Sequence, residues 1–221
     1  MGRIFRYDSP IMLWLQKISS VIFCGFFWLL CCIPVITAGA ATTAMYRMMF
    51  NLRQDKSARI KDFFHVFAAE FGNSTLIWIT DLLSIGIIGA LFYLVMSAGL
   101  PDLPSYIFVV LILILFVFWL FTFSLVYAYT SYFVNSVGQS IRNSLLMAAA
   151  NLKYSIPVLA IGMSPLTYLV LIFILQSETL LNLTVINLLP VWLFVIFPLI
   201  RYWQSYFLQK IFERYVSDKE A

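Results

Sequence analysis

The sequence predicts an all-α fold: a polytopic helical membrane protein with about six transmembrane crossings. Three observations predict it. Of the 221 residues, 62% are hydrophobic and 11% charged, where a soluble domain carries about 25% charged residues. The mean hydropathy is +0.94. Leu, Ile, Phe and Val gather in five apolar runs, at 11–36, 74–98, 105–134, 156–176 and 183–207, which match the roughly 20 residues a membrane span needs. A soluble core could not bury them all.

The first run begins after Arg3 and Arg6. Asp8, Pro10 and Lys17 follow these arginines, and the apolar run continues past any cleavage site, so the N-terminus is expected to be retained rather than removed as a signal peptide. It holds the three cysteines, Cys24, Cys31 and Cys32. They have no CxxC or Cys/His spacing and read as small apolar filler.

The run ends in CCIPVITAGAATTAMYRMM, Cys31–Met49, where the composition turns small. Pro34 ends the first helix, and Thr37 is placed to cap a second one over Thr37–Leu52. That helix decides the topology. The fourteen Lys and Arg cluster at the N-terminus, around 47–61, at Arg142 and Lys153, and from Arg201 to the C-terminus. The loops near 97–105 and 177–183 have none and carry Asp102 and Glu178 instead. By the positive-inside rule the N-terminus, the 53–72 loop, the 135–155 loop and the C-terminus are all cytoplasmic. A single span before Arg53 would put the 53–72 loop outside. A short returning helix removes the conflict: sixteen residues reach about 24 Å. A re-entrant hairpin over 19–52 gives the same loop assignments.

Two segments echo each other. RIKDFFHVFAAEFGNS (Arg59–Ser74) and SIRNSLLMAAANLKYS (Ser140–Ser155) align at an offset of 81 residues, and each leads into an apolar hairpin. SYF recurs at Ser131–Phe133 and Ser205–Phe207. The chain reads as one integral membrane domain over 1–221 with internal repeats at 57–135 and 138–215, and residues 4–53 as a more diverged third copy. Parallel repeats are common in transport folds.

Candidate residues fall into three groups. Arg47, Asp81 and Arg201 lie inside spans, about 9–12 Å from the cytoplasmic ends at ~1.5 Å per residue. Intramembrane charges usually face the bundle interior and pair, so Asp81 is expected to pair with Arg47 or Arg201. The alternative is arginines that snorkel separately. Pro34, Thr37, Gly39, Ala40, Thr43 and Tyr46 form a stretch for close helix packing or, alternatively, for contact with a substrate or partner at a helix N-terminus. Lys61, Phe64, His65 and Arg142 mark amphipathic cytoplasmic segments, with Phe63, Phe64, Phe67 and Phe71 expected on one face. These segments either lie on the inner leaflet or dock a partner.

Catalytic and cofactor chemistry finds no support. No P-loop, GxSxG, HExxH or kinase set is present, and His65 is the single histidine. No enzyme, cofactor, metal site or nucleic-acid partner is expected. Asn73 and Asn182 match the glycosylation pattern, which arises often by chance.

WLLCCIPVITAGAATTAMYRMM followed by FFHVFAAEFGNSTLIWI resembles the YesL family of bacterial membrane proteins. Pro34, Thr37, Gly39, Ala40, Thr43, Ala44 and Tyr46 carry the match, with Phe63, Phe64 and Phe71 behind it; Ala38 departs from the usual Ile. The resemblance covers about the first third of the chain. It implies a small polytopic protein of the plasma membrane of Firmicutes-type bacteria, often associated with carbohydrate ABC uptake and its sensor-kinase control. The expected function is a non-enzymatic accessory or regulatory protein, in contact with the bilayer, with ABC transporter subunits or a sensor kinase as partners and self-association as a further option. The alternative is a small-solute transporter or permease in its own right, with a path lined by the 37–46 helix and Asp81.

Overall fold

The computed structural model describes residues 10–56, 59–99, 101–175 and 192–220. The lead-in before residue 10, the loop at 177–183 with Asn182, and the start of the run at 183–207 lie outside the described residues. Among the described residues there are eight α-helices and no strand. They are α1 (Pro10–Cys32), α2 (Ala38–Arg53), α3 (Ile60–Ala69), α4 (Phe71–Ser97), α5 (Asp102–Tyr132), α6 (Val137–Ala150), α7 (Leu152–Leu175) and α8 (Phe197–Glu220). Among the described residues three helices are long and apolar enough to cross a membrane: α1 over Trp14–Cys32, α4, and α5 over Leu103–Tyr132. A fourth is added if α6 and α7, bent by 108° at their break, form one span. Length and hydropathy thus make this a multi-pass membrane protein in contact with lipid.

Proline starts α1, where its missing N–H costs nothing, and the Ile33–Pro34 step ends it. A 3-10 turn, Val35–Thr37, follows. Thr37 does stand before α2, but its hydroxyl makes no cap bond there. It donates backward, to the carbonyls of Cys31 and Pro34, and so satisfies the end of α1. At the other end of the hairpin Lys17 Nζ meets Asp55 Oδ1 at 2.5 Å. The chain therefore leaves α2 on the side from which α1 began.

α2 is the centre of the molecule. It packs against α1, α3, α4, α5 and α8, and eleven of its sixteen residues are buried, Met45, Met48, Met49 and Phe50 among them. It is shorter than the three span candidates because protein, not lipid, surrounds it. Small residues permit this. A Cβ on Gly39 would lie 2.3 Å from the Ser74 carbonyl oxygen and 2.7 Å from Trp78 Cβ. At the same crossing Ser74 Oγ donates to Thr43 Oγ1 at 2.9 Å, and Thr43 Oγ1 donates to the Gly39 carbonyl at 3.1 Å. Without a hydrophobic drive between helices, such close approach and interhelical bonding hold a membrane bundle together.

Both amphipathic segments are helices whose N-cap backbone N–H donates to a side chain three residues on, Arg59 to Asp62 on α3 and Ser136 to Gln139 on α6. The four phenylalanines do not share a face. Phe63 is buried and Phe67 half-buried, whereas Phe64 and Phe71 stay exposed. The physical reason is the helical period: Phe63 and Phe64 are neighbours, about 100° apart around the axis. α4 and α5 form a hairpin whose turn passes through Gly99 at φ +58°, a left-handed conformation that favours glycine. Its burial is polarised. Ser74, Ile77 and Asp81 are the buried residues of α4, and α5 is buried at Ile112, Thr122 and continuously over 125–131, while Leu82, Leu83, Ile87, Leu94, Val110, Leu113 and Phe118 are exposed. An aromatic core of Phe50, Tyr129, Tyr132, Phe133 and Phe212 joins α2, α5 and α8.

Candidate solute cavity

A cavity of about 430 Å³ opens among α1, α2, α4, α5, α7 and α8. α4 places Trp78 and Asp81 on one wall, one helical turn apart. α5 adds Trp119, Phe123, Ser124 and Tyr127, whose spacing of three and four residues puts them on one face. α8 supplies Phe197, Arg201 and Gln204 from the opposite side, α7 Val158, Leu159 and Gly162, and α1 and α2 close it with Trp28, Ala38 and Thr42.

Asp81 is only 8% exposed. Its Oδ2 accepts a hydrogen bond from the Tyr127 hydroxyl at 2.9 Å. Oδ1 and Nε1 of Trp119 make no hydrogen bond of full geometry, although the indole N–H lies close enough to interact with the carboxylate. Arg201 Nη1 donates to Tyr46 Oη at 2.7 Å and to Gln204 Oε1 at 3.0 Å. Gln204 Nε2 donates to the Val158 carbonyl at 2.8 Å, which ties α8 to α7. The guanidinium also stands over the rings of Phe197, at 4.9 Å, and Tyr46, at 5.4 Å. Phe197 stacks on Trp28 at 4.3 Å, and Trp28 Nε1 donates to Thr42 Oγ1 at 3.1 Å. Seven buried side-chain polar atoms lack a hydrogen bond of full geometry among the described residues, and four of them, Trp78 Nε1, Asp81 Oδ1, Trp119 Nε1 and Arg201 Nε, belong to this lining. Buried polar groups are normally satisfied, so their concentration at one cavity marks a place built to receive a polar partner.

Of the three charges expected inside spans, Asp81 and Arg201 face this cavity and Arg47 does not; Asp81 lies on a span candidate, α4, whereas α2 and α8, which carry Arg47 and Arg201, are not among the span candidates of the described residues. Arg47 Nη1 donates to the Ser131 carbonyl at 3.0 Å. The expected ion pair is not formed. Among the described residues the ion pairs within 4.0 Å are Lys17–Asp55 and Arg59–Asp62. Hydroxyl and amide partners on the same and neighbouring helices hold each charge instead. Of the small-residue stretch, Tyr46 reaches the Arg201 network, while Gly39, Ala40 and Thr43 are buried in packing; the neighbouring Thr42 lines the cavity in place of Thr43. Pro34 lies in the turn with Thr37. Lys61, Phe64, His65 and Arg142 are exposed on α3 and α6, away from the cavity. Sequence reasoning missed Trp28, Trp78, Trp119, Tyr127 and Gln204. Gln204 alone carries a signal, an amide inside an apolar run; aromatic residues in such runs are too common to single out.

No cluster of three or more His, Cys, Asp or Glu that could hold a metal ion occurs among the described residues. Residues 21–96, from α1 through nearly all of α4, match a family described as protein of unknown function, DUF624. That stretch supplies Trp28, Ala38, Thr42, Trp78 and Asp81 to the cavity. The chain matches no curated protein and no solved structure.

Proposed function

We propose that this is a non-enzymatic membrane protein that takes a small polar solute into the bundle, as a transporter or permease in its own right. The observation that carries the reading is the cavity of about 430 Å³ with a carboxylate and a guanidinium that have no ion-pair partner among the described residues, and the unsatisfied Trp78 indole N–H, on an aromatic lining. Ligand pockets have this make-up, mostly apolar walls with a few convergent polar groups. Ionisable groups held inside a bundle usually mark a solute path. The distribution of Lys and Arg supports cytoplasmic termini, and the YesL resemblance supports a bacterial plasma membrane.

The test is flux. Purified protein in liposomes is offered a mixture of amino acids, sugars, organic amines and carboxylates, and the lumen is assayed by mass spectrometry. At least one compound is expected to enter faster than into empty liposomes, and Asp81→Asn is expected to remove the difference. Equal leak in all three preparations would overturn the reading.

A second reading is favoured by the exposed outer face of α3, where Ile60, Lys61, Phe64 and His65 lie uncovered, and by the exposed Arg142 on α6. With the YesL resemblance, this supports an accessory or regulatory protein of a carbohydrate ABC uptake or sensor-kinase system. A gentle native-membrane pull-down should then recover such subunits in stoichiometric amounts, and Lys61→Glu with Arg142→Glu should release them. Recovery of the chain alone from membranes that express these systems would count against it.

A further inference from the structure

Asp81 and Arg201 are the two formal charges among the residues that line the cavity. Neither has an ion-pair partner among the described residues. Neutral groups hold them apart: Tyr127 from α5 holds Asp81, and Tyr46 from α2 with Gln204 from α8 holds Arg201. Each charge keeps one atom without a hydrogen bond of full geometry, Oδ1 on the acid, beside the Trp119 indole, and Nε on the base. From this arrangement we propose that the cavity binds a zwitterion, an ammonium and a carboxylate on a compact apolar or aromatic body, as in an apolar amino acid. This inference rests on the reading of the protein as one that takes a solute into the bundle.

The argument is one of charge compensation. Uncompensated charges are costly in a low-dielectric interior. A polyol would satisfy the hydrogen bonds and leave both charges uncompensated. A simple amine or a simple carboxylate would compensate one charge and leave the other. A zwitterion compensates both and leaves the site neutral. The surroundings agree with the orientation. Trp78, Trp119 and Tyr127 line the Asp81 end, and the carboxylate there supplies the charge that an ammonium needs. At the other end the planar guanidinium suits a carboxylate. The stacked Trp28 and Phe197 rings, with Phe123, offer apolar wall for the ligand body.

Thermal unfolding of the full-length protein in lipid nanodiscs tests this with matched probes: leucine against 3-methylbutylamine and 4-methylpentanoate, phenylalanine against phenethylamine and 3-phenylpropionate, and glucose as a neutral polyol. The amino acids are expected to raise the midpoint, with each singly charged relative weaker by about tenfold or more in apparent Kd, since a lost charge-assisted hydrogen bond is worth at least that much. Asp81→Asn and Arg201→Gln should each weaken amino-acid binding by a similar factor. The comparison of probes on the unmodified protein stands even where a variant fails to fold. Equal binding of an amino acid and one of its singly charged relatives would overturn the zwitterion. Binding of glucose without the amino acids would overturn it too, while leaving the solute-binding reading in place. Binding of none of the probes would overturn both.

Discussion

The two regions that the sequence aligns at an offset of 81 residues share a scaffold and differ in chemistry. In each, a short helix breaks into a long one, at Glu70 between α3 and α4 and at Asn151 between α6 and α7. Ser74 and Ser155 are both fully buried, and so are Ile77 and Val158. Four residues on, the register diverges: Asp81 in the first region faces Gly162 in the second, and both line the cavity. The second region supplies its charge from Arg201 on α8 instead. Buried small and aliphatic positions thus set how the helices pack, and the cavity's function depends on where that register carries different residues.

Glycine substitution should break the comparison most sharply. Gly39→Ala drives a Cβ into the α4 backbone at Ser74, a group that cannot move without shifting the helix. Overpacking of this kind costs about 1–3 kcal/mol, and thermal unfolding should show it as the largest loss. Gly162→Ala meets Gln204 Nε2 at 2.5 Å, a side-chain end that can move only by giving up its bond to the Val158 carbonyl, so the loss should be smaller, about 1 kcal/mol. Equal losses would mean that α7 is as tightly held as α2.

The paired serines should differ in sign. Ser74→Ala removes the bond to Thr43 and should cost about 1 kcal/mol. Ser155 Oγ has no hydrogen-bond partner, so Ser155→Ala relieves an unsatisfied buried hydroxyl and should be neutral or stabilising. Denaturation midpoints of both variants decide it.

The break residues should differ as well. Asn151 accepts from Arg214 Nη1 at 3.3 Å and donates through Nδ2 to Tyr215 Oη at 3.0 Å. Asn151→Ala should therefore loosen α8 from α7 by about 1 kcal/mol, read as faster hydrogen exchange across the break.

The smallest effect is electrostatic. Partial burial pushes the Glu70 carboxyl above its ordinary value of 4.5, against a counter-pull from Arg47. A raised folded-state value means that the folded chain holds the proton more tightly. Stability from this group is therefore present below about 4.5 and lost as pH rises through the folded value. Asn151 does not titrate. Glu70→Gln should flatten this part of the stability–pH curve slightly, and Asn151→Asp should introduce such a slope at the second break.

Much of the scaffold was legible in the sequence. The Lys and Arg pattern required a return after Pro34, and the small residues of 39–44 announced a close crossing, because both follow from local composition. The depth of α2 was not legible. Arg47 read as a charge inside a span and Arg53 as the start of a cytoplasmic loop, and only the folded chain shows Arg47 held by the Ser131 carbonyl and Arg53 by Ser205 at 2.7 Å. The two charges of the cavity were visible as isolated residues in apolar runs. Their separation was not, because it depends on Tyr46, Tyr127 and Gln204, which come from three different helices.

The burial of α2 also has a consequence for assembly in time. A ribosome makes residues 38–53 early, yet the helices that enclose them, α4, α5 and α8, arrive later. With its arginines and small residues, α2 is poorly suited to lipid alone. It should therefore wait, half-housed against α1, until the last helix closes over it. Nascent chains stopped after residue 99 should leave 38–53 open to protease, and chains that include α8 should protect it. Shielding of α2 at the shorter length would show that it needs no later helix.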